Sequence, residues 1–251
     1  MRIYSDAYEL MSETGRNLYE MGVLVKPQYY QNKYIGDKPE FETKELEAEQ
    51  YTLLSLPDPE MLFIFTHSKE WADAEFSERV SGEGVNPGEA WKFREQVWKE
   101  FLDTQGKFDY TYAERMNIQL LYKGKLGTAV NNVISLLKDD PDTRKAIVSI
   151  YNVTDSNRLD GKYRIPCSMY YDFMIRKVPG KNDYQLNIHY HQRSSDFVTH
   201  FGNDVYLAWR LMEYIAEKVN VKPGYLVHSI DSLHVYHKDW ELLKDSVSMN
   251  R

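Results

Sequence analysis

The chain has 251 residues, 42% hydrophobic, 14% aromatic and 27% charged, which excludes a disordered or fibrous protein and suffices for a sizeable core. A formal net charge of −7 argues against a polymeric nucleic acid as partner, although a local arginine cluster can still hold one phosphate. The single cysteine, Cys167, excludes an internal disulfide framework; with no apolar run near the roughly 18 residues of a membrane span, a cytoplasmic protein without membrane contact is expected.

No fixed-period repeat or Ser/Gly-rich linker divides the chain, so a single domain over 1–251 is expected. Met61–Thr66 (MLFIFT) is a short apolar run that periodicity leaves open between buried strand and helix. Val80–Pro87 (VSGEGVNP) reads as a loop. From Thr128 to Lys138, Ala129, Val130, Val133, Ile134 and Leu137 recur at helical spacing until Asp139-Asp140-Pro141 end the pattern. Ala146–Tyr151, Ser168–Arg176 and Tyr184–His191 read as strands, the last two joined as a hairpin through PGKND. A second helix spans Asp204–Val219, stopped by Lys222-Pro223-Gly224, and Gly224–Tyr236 is a final strand. The pattern predicts an α+β fold, a layered sheet with flanking helices.

Several positions combine chemistry-bearing groups. Cys167 ends a loop (RLDGKYRIP) and opens a strand, where it is either a small buried hydrophobe or a nucleophile. Gln192-Arg193-Ser194-Ser195-Asp196 sets a guanidinium fork beside hydroxyls, which suits a phosphate monoester as well as an ordinary strand-end ion pair. Arg144-Lys145 is a second basic pair, and His234 and Tyr236 share one face of the last strand. His189 and His191 also share a face, but no third ligand accompanies them, so no metal site is expected. GxGxxG, P-loop and GxSxG patterns are absent.

In order and spacing, PDTRKAIVSIYN, IPCS, HQRSSDF, GNDVYLAW and PGYLVHSIDSLHVY resemble the thymidylate synthase family over about 139–239. FDYTYAER extends the likeness upstream, with Thr111 where the family has Gly, and places Tyr110 on the folate side. The resemblance implies a homodimer with active sites completed across the interface. It makes Cys167 the nucleophile, gives the 5′-phosphate to Arg193 and Ser194, next to Gln192, and assigns Arg144 and Lys145 to the partner subunit's phosphate. It puts His234 and Tyr236 on the deoxyribose hydroxyl and Asp196 on the pterin of 5,10-methylenetetrahydrofolate. A general acid/base glutamate is expected upstream, where Glu75 is favoured over Glu78 and Glu89.

Three departures stand out: Ser168 replaces the histidine that usually follows the cysteine on the substrate side, Lys145 replaces an arginine, and the family's N-terminal phosphate loop has no clear equivalent. A fourth bears on specificity. Asp204 occupies the position of the asparagine that reads uracil, and its segment resembles phage dCMP hydroxymethylases. Cytosine presents an acceptor at N3 and a donor amine at C4, to which a carboxyl can both donate and accept; the alternative is that Asp204 only caps the helix it precedes. The implied reaction is Cys167 addition to C6 of dCMP, one-carbon transfer to C5 and water capture to give 5-hydroxymethyl-dCMP. Action on dUMP or CMP, or a catalytically silent nucleotide-binding dimer, are the rival readings.

Overall fold

The computed structural model describes residues 2–30, 33–159 and 163–244. Eight strands form one mixed sheet: β1 (Arg2–Tyr4), β2 (Val23–Val25), β3 (Thr43–Leu53), β4 (Ile147–Ser149), β5 (Ser168–Lys177), β6 (Tyr184–Gln192), β7 (Ser195–Asp196) and β8 (Lys222–Tyr236). The main path runs β1-β3-β8-β6-β5-β4, with β7 paired to β8 and β2 to β3. β6 and β8 are parallel, whereas β5–β6 is the antiparallel hairpin expected from PGKND. The expected α+β class is therefore the observed one.

Helices α1 (Ala7–Met21), α2 (Lys69–Arg79), α3 (Tyr112–Met116), α4 (Ala129–Asp139) and α5 (Gly202–Val219) accompany the sheet. α4 starts where Thr128 accepts a hydrogen bond from Asn131 N at 3.1 Å, and all five apolar residues picked out by spacing are buried. α5 buries Val205, Ala208, Leu211, Met212 and Ile215 and ends at Asn220 in the left-handed conformation, φ 57°. Lys222-Pro223 then opens β8 rather than forming a loop, as proline at a strand's beginning allows.

The apolar run at Met61–Thr66 is neither strand nor α-helix: Glu60–Phe63 is a 3₁₀ turn. It matters because the start of α5 sits on it. A Cβ at Gly202 would lie 1.7 Å from the Leu62 carbonyl oxygen, so only glycine permits this approach. Ala146–Tyr151 shrinks to three strand residues because Ile150 and Tyr151 N–H groups both turn to Met169 O. Val80–Pro87 is irregular, as expected.

Candidate active site

A cavity of about 490 Å³ is lined by the ends of β6, β7 and β8 and the loop before β5 together with residues from the helices, turns and loops of 71–112. Cys167 lines it from the start of β5. Arg193, at the end of β6, is fastened to the loop before the cysteine. Its backbone N–H donates to Cys167 O at 2.9 Å, and its guanidinium donates to Pro166 O at 2.9 Å and Ile165 O at 3.2 Å. The same guanidinium reaches Cys167 Sγ at 3.6 Å, so the two motifs, 26 residues apart, form one unit with a fixed positive charge at the sulfur.

Asp204 lies in the first turn of α5 and also faces the cavity. Its Oδ2 accepts from Gln192 Nε2 at 2.9 Å and from Ser195 Oγ at 3.0 Å. Burial pushes its carboxyl up to about 6, against the opposing pull of those two hydrogen bonds and of Arg79 and Arg94. The helix-cap alternative for Asp204 is corrected: no backbone N–H donates to it among the described residues. The cap is Asp196, which accepts from Val198 N and Thr199 N at 3.1 and 3.2 Å and starts a wide π-type turn, Phe197–Phe201, that runs into α5.

Asp196, Ser194, His234 and Tyr236 line the cavity too, the last two with rings 5.2 Å apart on one face of β8. Of the three glutamates, Glu75 and Glu78 reach the cavity and Glu89 does not. Glu78 is committed to structure, since its Oε1 accepts from Glu89 N and Ala90 N at 2.5 and 2.8 Å. Glu75 accepts from Arg79 Nε through Oε1 at 2.8 Å, and Oε2 has no hydrogen-bond partner among the described residues. Burial works against the Arg79 charge, but Glu75 and two tyrosines outweigh it and keep the guanidinium firmly protonated.

Four sequence-predicted residues stand elsewhere. Gln192 is 1% exposed and touches Asp204 from behind. Ser168 is also buried, with its Oγ 2.5 Å from Tyr190 Oη and 3.2 Å from Tyr112 Oη, so it ties down the wall beside Cys167 rather than entering the cavity. Arg144 and Lys145 are exposed and outside the cavity; Lys145 borders a separate hollow with Arg115 and Arg158. His189 faces Asp172 across the β5–β6 ladder, and His191 stacks on Tyr170 and pairs with Asp231.

A second part of the lining is aromatic, and sequence reading found only Tyr110 in it. Trp71, Trp91, Trp98, Phe108 and Tyr112 line it, with Trp71 stacked on Trp98 at 5.9 Å. Arg164 lies over Phe101, Trp98 and Tyr110 at 4.3, 5.2 and 5.7 Å. His200 faces this side, pushed down to about 4 by burial and by Arg94, and is neutral near pH 7. The missed signal was WKFREQVW, which repeats tryptophan at a seven-residue interval, Trp91 and Trp98.

The family profile described as Thymidylate synthase matches residues 89–251. The chain belongs to the thymidylate synthase family. A relative from Methanosarcina barkeri, named "Putative thymidylate synthase", is 33% identical over 141 residues, 56% of this chain and 58% of that one. A relative of the same name from Methanosarcina mazei gives the same identity and coverage, and one from Methanococcoides burtonii is 29% identical over 137 residues. The chain thus spans a little over half the length of these relatives. The thermostable thymidylate synthase A from Bacillus subtilis superposes with a TM-score of 0.70 over 97% of this chain and 84% of its own, at 16% identity, which establishes the thymidylate synthase fold. The matched segment, 89–251, carries Cys167, Arg193, Asp196, Asp204, His234 and Tyr236, whereas Glu75 lies upstream of it.

Proposed function

We propose that this chain transfers a one-carbon unit from 5,10-methylenetetrahydrofolate to C5 of dCMP and completes the product with water, giving 5-hydroxymethyl-dCMP and tetrahydrofolate. Family membership supports the one-carbon transfer. The observation that carries the cytosine reading is Asp204: a carboxyl in the same cavity as Cys167, raised to about 6, with one oxygen occupied and no capping role.

Each residue's part follows from its chemistry. The Cys167 thiolate adds to C6 of the pyrimidine, which makes C5 nucleophilic. Protonated Asp204 donates to N3 of cytosine. Once C6 carries the sulfur and N3 has gained the proton, the ionised carboxylate faces a protonated N3, an interaction of roughly 3–4 kcal/mol in a water-poor site. Glu75, with its open Oε2, is the candidate for proton transfer at the ring and its new substituent. Arg193 and Ser194 hold the 5′-phosphate, and His234 and Tyr236 hold the sugar hydroxyl.

The folate supplies the carbon at the oxidation level of formaldehyde, and the aromatic wall suits it. Trp91 and Trp98 carry buried indole N–H groups with no acceptor among the described residues, so a flat heterocycle bearing carbonyls satisfies both the stacking surface and the donors. Asp196 and Tyr110 flank that side. The family resemblance assigns Arg144 and Lys145, exposed on this chain, to the cavity of a second copy in a homodimer.

The test is mass spectrometry of the nucleotides after incubation with methylenetetrahydrofolate and equimolar dCMP, dUMP and CMP. A gain of one hydroxymethyl group on dCMP alone is expected. Modified dUMP would overturn the cytosine reading, and the absence of any product would favour a silent nucleotide-binding homologue.

A further inference from the structure

Asp204 is held from behind by a chain of hydrogen bonds that stays out of the cavity. Tyr51 on β3, His228 on β8 and Gln192 at the end of β6 sit on three adjacent strands, and each is at most 1% exposed. Tyr51 and His228 are directly paired across the β3–β8 ladder. Tyr51 Oη lies 2.8 Å from His228 Nδ1, and His228 Nε2 lies 2.8 Å from Gln192 Oε1. Gln192 Nε2 donates to Asp204 Oδ2 at 2.9 Å.

The polarity of this chain is determined from its substrate end. A carboxamide has a donor at one end and an acceptor at the other, so an amide that gives its NH₂ to an ionised Asp204 turns its carbonyl to His228. His228 then carries its proton on Nε2, and Nδ1 accepts from the Tyr51 hydroxyl. The neutral ring this requires is the one present, since burial pushes His228 down to about 3. The ring is also fixed in orientation, lying parallel to Tyr190 at 4.5 Å and to Phe201 at 6.1 Å. Every donor in the chain points toward Asp204.

Ser195 Oγ donates to the same Asp204 oxygen, so Oδ2 has both lone pairs occupied. Oδ1 has no hydrogen-bond partner among the described residues, and it is not among the fully enclosed unpaired atoms. A proton on Asp204 therefore belongs on Oδ1, the oxygen open to the cavity. Packing alone does not call for this arrangement: phenylalanine at 51 and methionine at 192 would fill the same space without burying polar groups that must all be paired.

We propose that Tyr51, His228 and Gln192 form a positioning relay that keeps Oδ2 a permanent acceptor, leaving Oδ1 as the single oxygen that exchanges a proton with N3 of the base. The relay acts through Asp204 and rests on the cytosine reading of that residue.

The experiment is isothermal titration calorimetry of dCMP and of dUMP, without folate, on the 251-residue wild-type chain, Gln192→Met and Tyr51→Phe, each checked for cooperative thermal unfolding. The wild type is expected to prefer dCMP. Gln192→Met removes one donor to Oδ2 and lowers that preference about tenfold, and Tyr51→Phe, which frees the His228 tautomer, lowers it about threefold, while dUMP affinity stays within about twofold. Equal weakening of both nucleotides, with the ratio unchanged in a folded variant, overturns the relay and leaves plain packing. If Gln192→Met does not fold, the ratio in Tyr51→Phe decides alone. A wild type without preference for dCMP overturns the cytosine reading and the relay with it, whereas an intact wild-type preference that neither variant moves overturns the relay only.

Discussion

The two walls of the cavity are built in opposite ways. One consists of residues at strand ends and the first turn of α5: Cys167, Arg193, Asp204 and His234, each tied to a neighbouring strand or helix by short hydrogen bonds or ladder register. The other consists of Trp71, Trp91, Trp98 and Phe108, carried in turn by α2, the short 3₁₀ turn Ala90–Arg94, the one-turn helix Glu95–Trp98 and a loop. The first wall holds a guanidinium at the cysteine sulfur and a carboxyl facing the cavity; the second offers area and two indole N–H donors without an acceptor among the described residues. We attribute chemistry to the first and recognition of a large planar partner to the second, and substitutions on the two walls should separate along that line.

The largest expected effect is on the strand-end wall. Cys167→Ala should lower product formation on the order of 10⁴-fold or more while leaving dCMP binding measurable by calorimetry. A variant within about tenfold of wild type would remove the cysteine from the chemistry. Glu75→Gln is expected to lower kcat by roughly 10²–10⁴-fold with little change in nucleotide affinity. Glu78→Gln, in contrast, should act mainly on thermal stability, because its carboxylate holds the Glu89 and Ala90 N–H groups.

Asp204 also sharpens the comparison through stability. Its folded-state pKa of about 6 lies above the ordinary 3.8, so the folded state disfavours the charged form. The cost appears as pH rises from about 4 to 6 and persists above, at an order of magnitude of 2–3 kcal/mol. Asp204→Asn should therefore raise the Tm at pH 8 and make little difference at pH 4. Equal Tm shifts at both pH values would contradict a raised carboxyl. The smallest effect belongs to the aromatic wall: Trp98→Ala should raise the KM for folate roughly tenfold and leave the nucleotide dissociation constant unchanged, measured by steady-state kinetics and calorimetry.

The walls also differ in how far the sequence revealed them. Strand alternation and helical spacing in the second half located β5, β6, β8, α4 and α5 within a few residues, because one face of each is apolar and the other is not. β3 was not legible: TKELEAEQYTL carries Glu45, Glu47 and Glu49 beside Lys44, residues that favour helix, and it becomes a strand because it is clamped between β1 and β8. The site followed the same division. Cys167, Arg193, Asp196, Asp204 and His234 lie in motifs with fixed spacing. Arg79, Arg164 and the tryptophans lie in short 3₁₀ turns and loops without a period, or face the cavity from a helix that carries little amphipathic pattern. Gln192 and Ser168 were read as substrate contacts, yet both are buried and support their neighbours, a distinction that depends on which way a strand-end side chain turns.

The most direct measurement compares wild type and Asp204→Asn on dCMP and dUMP, with kcat/KM for each nucleotide from the mass of the product. The wild type should favour dCMP, and the variant should reverse the preference by roughly 10²-fold or more, because an amide pairs with the N3 donor and C4 oxygen of uracil. A wild type that prefers dUMP, or a preference unchanged by the substitution, would contradict the assignment of base recognition to this carboxyl.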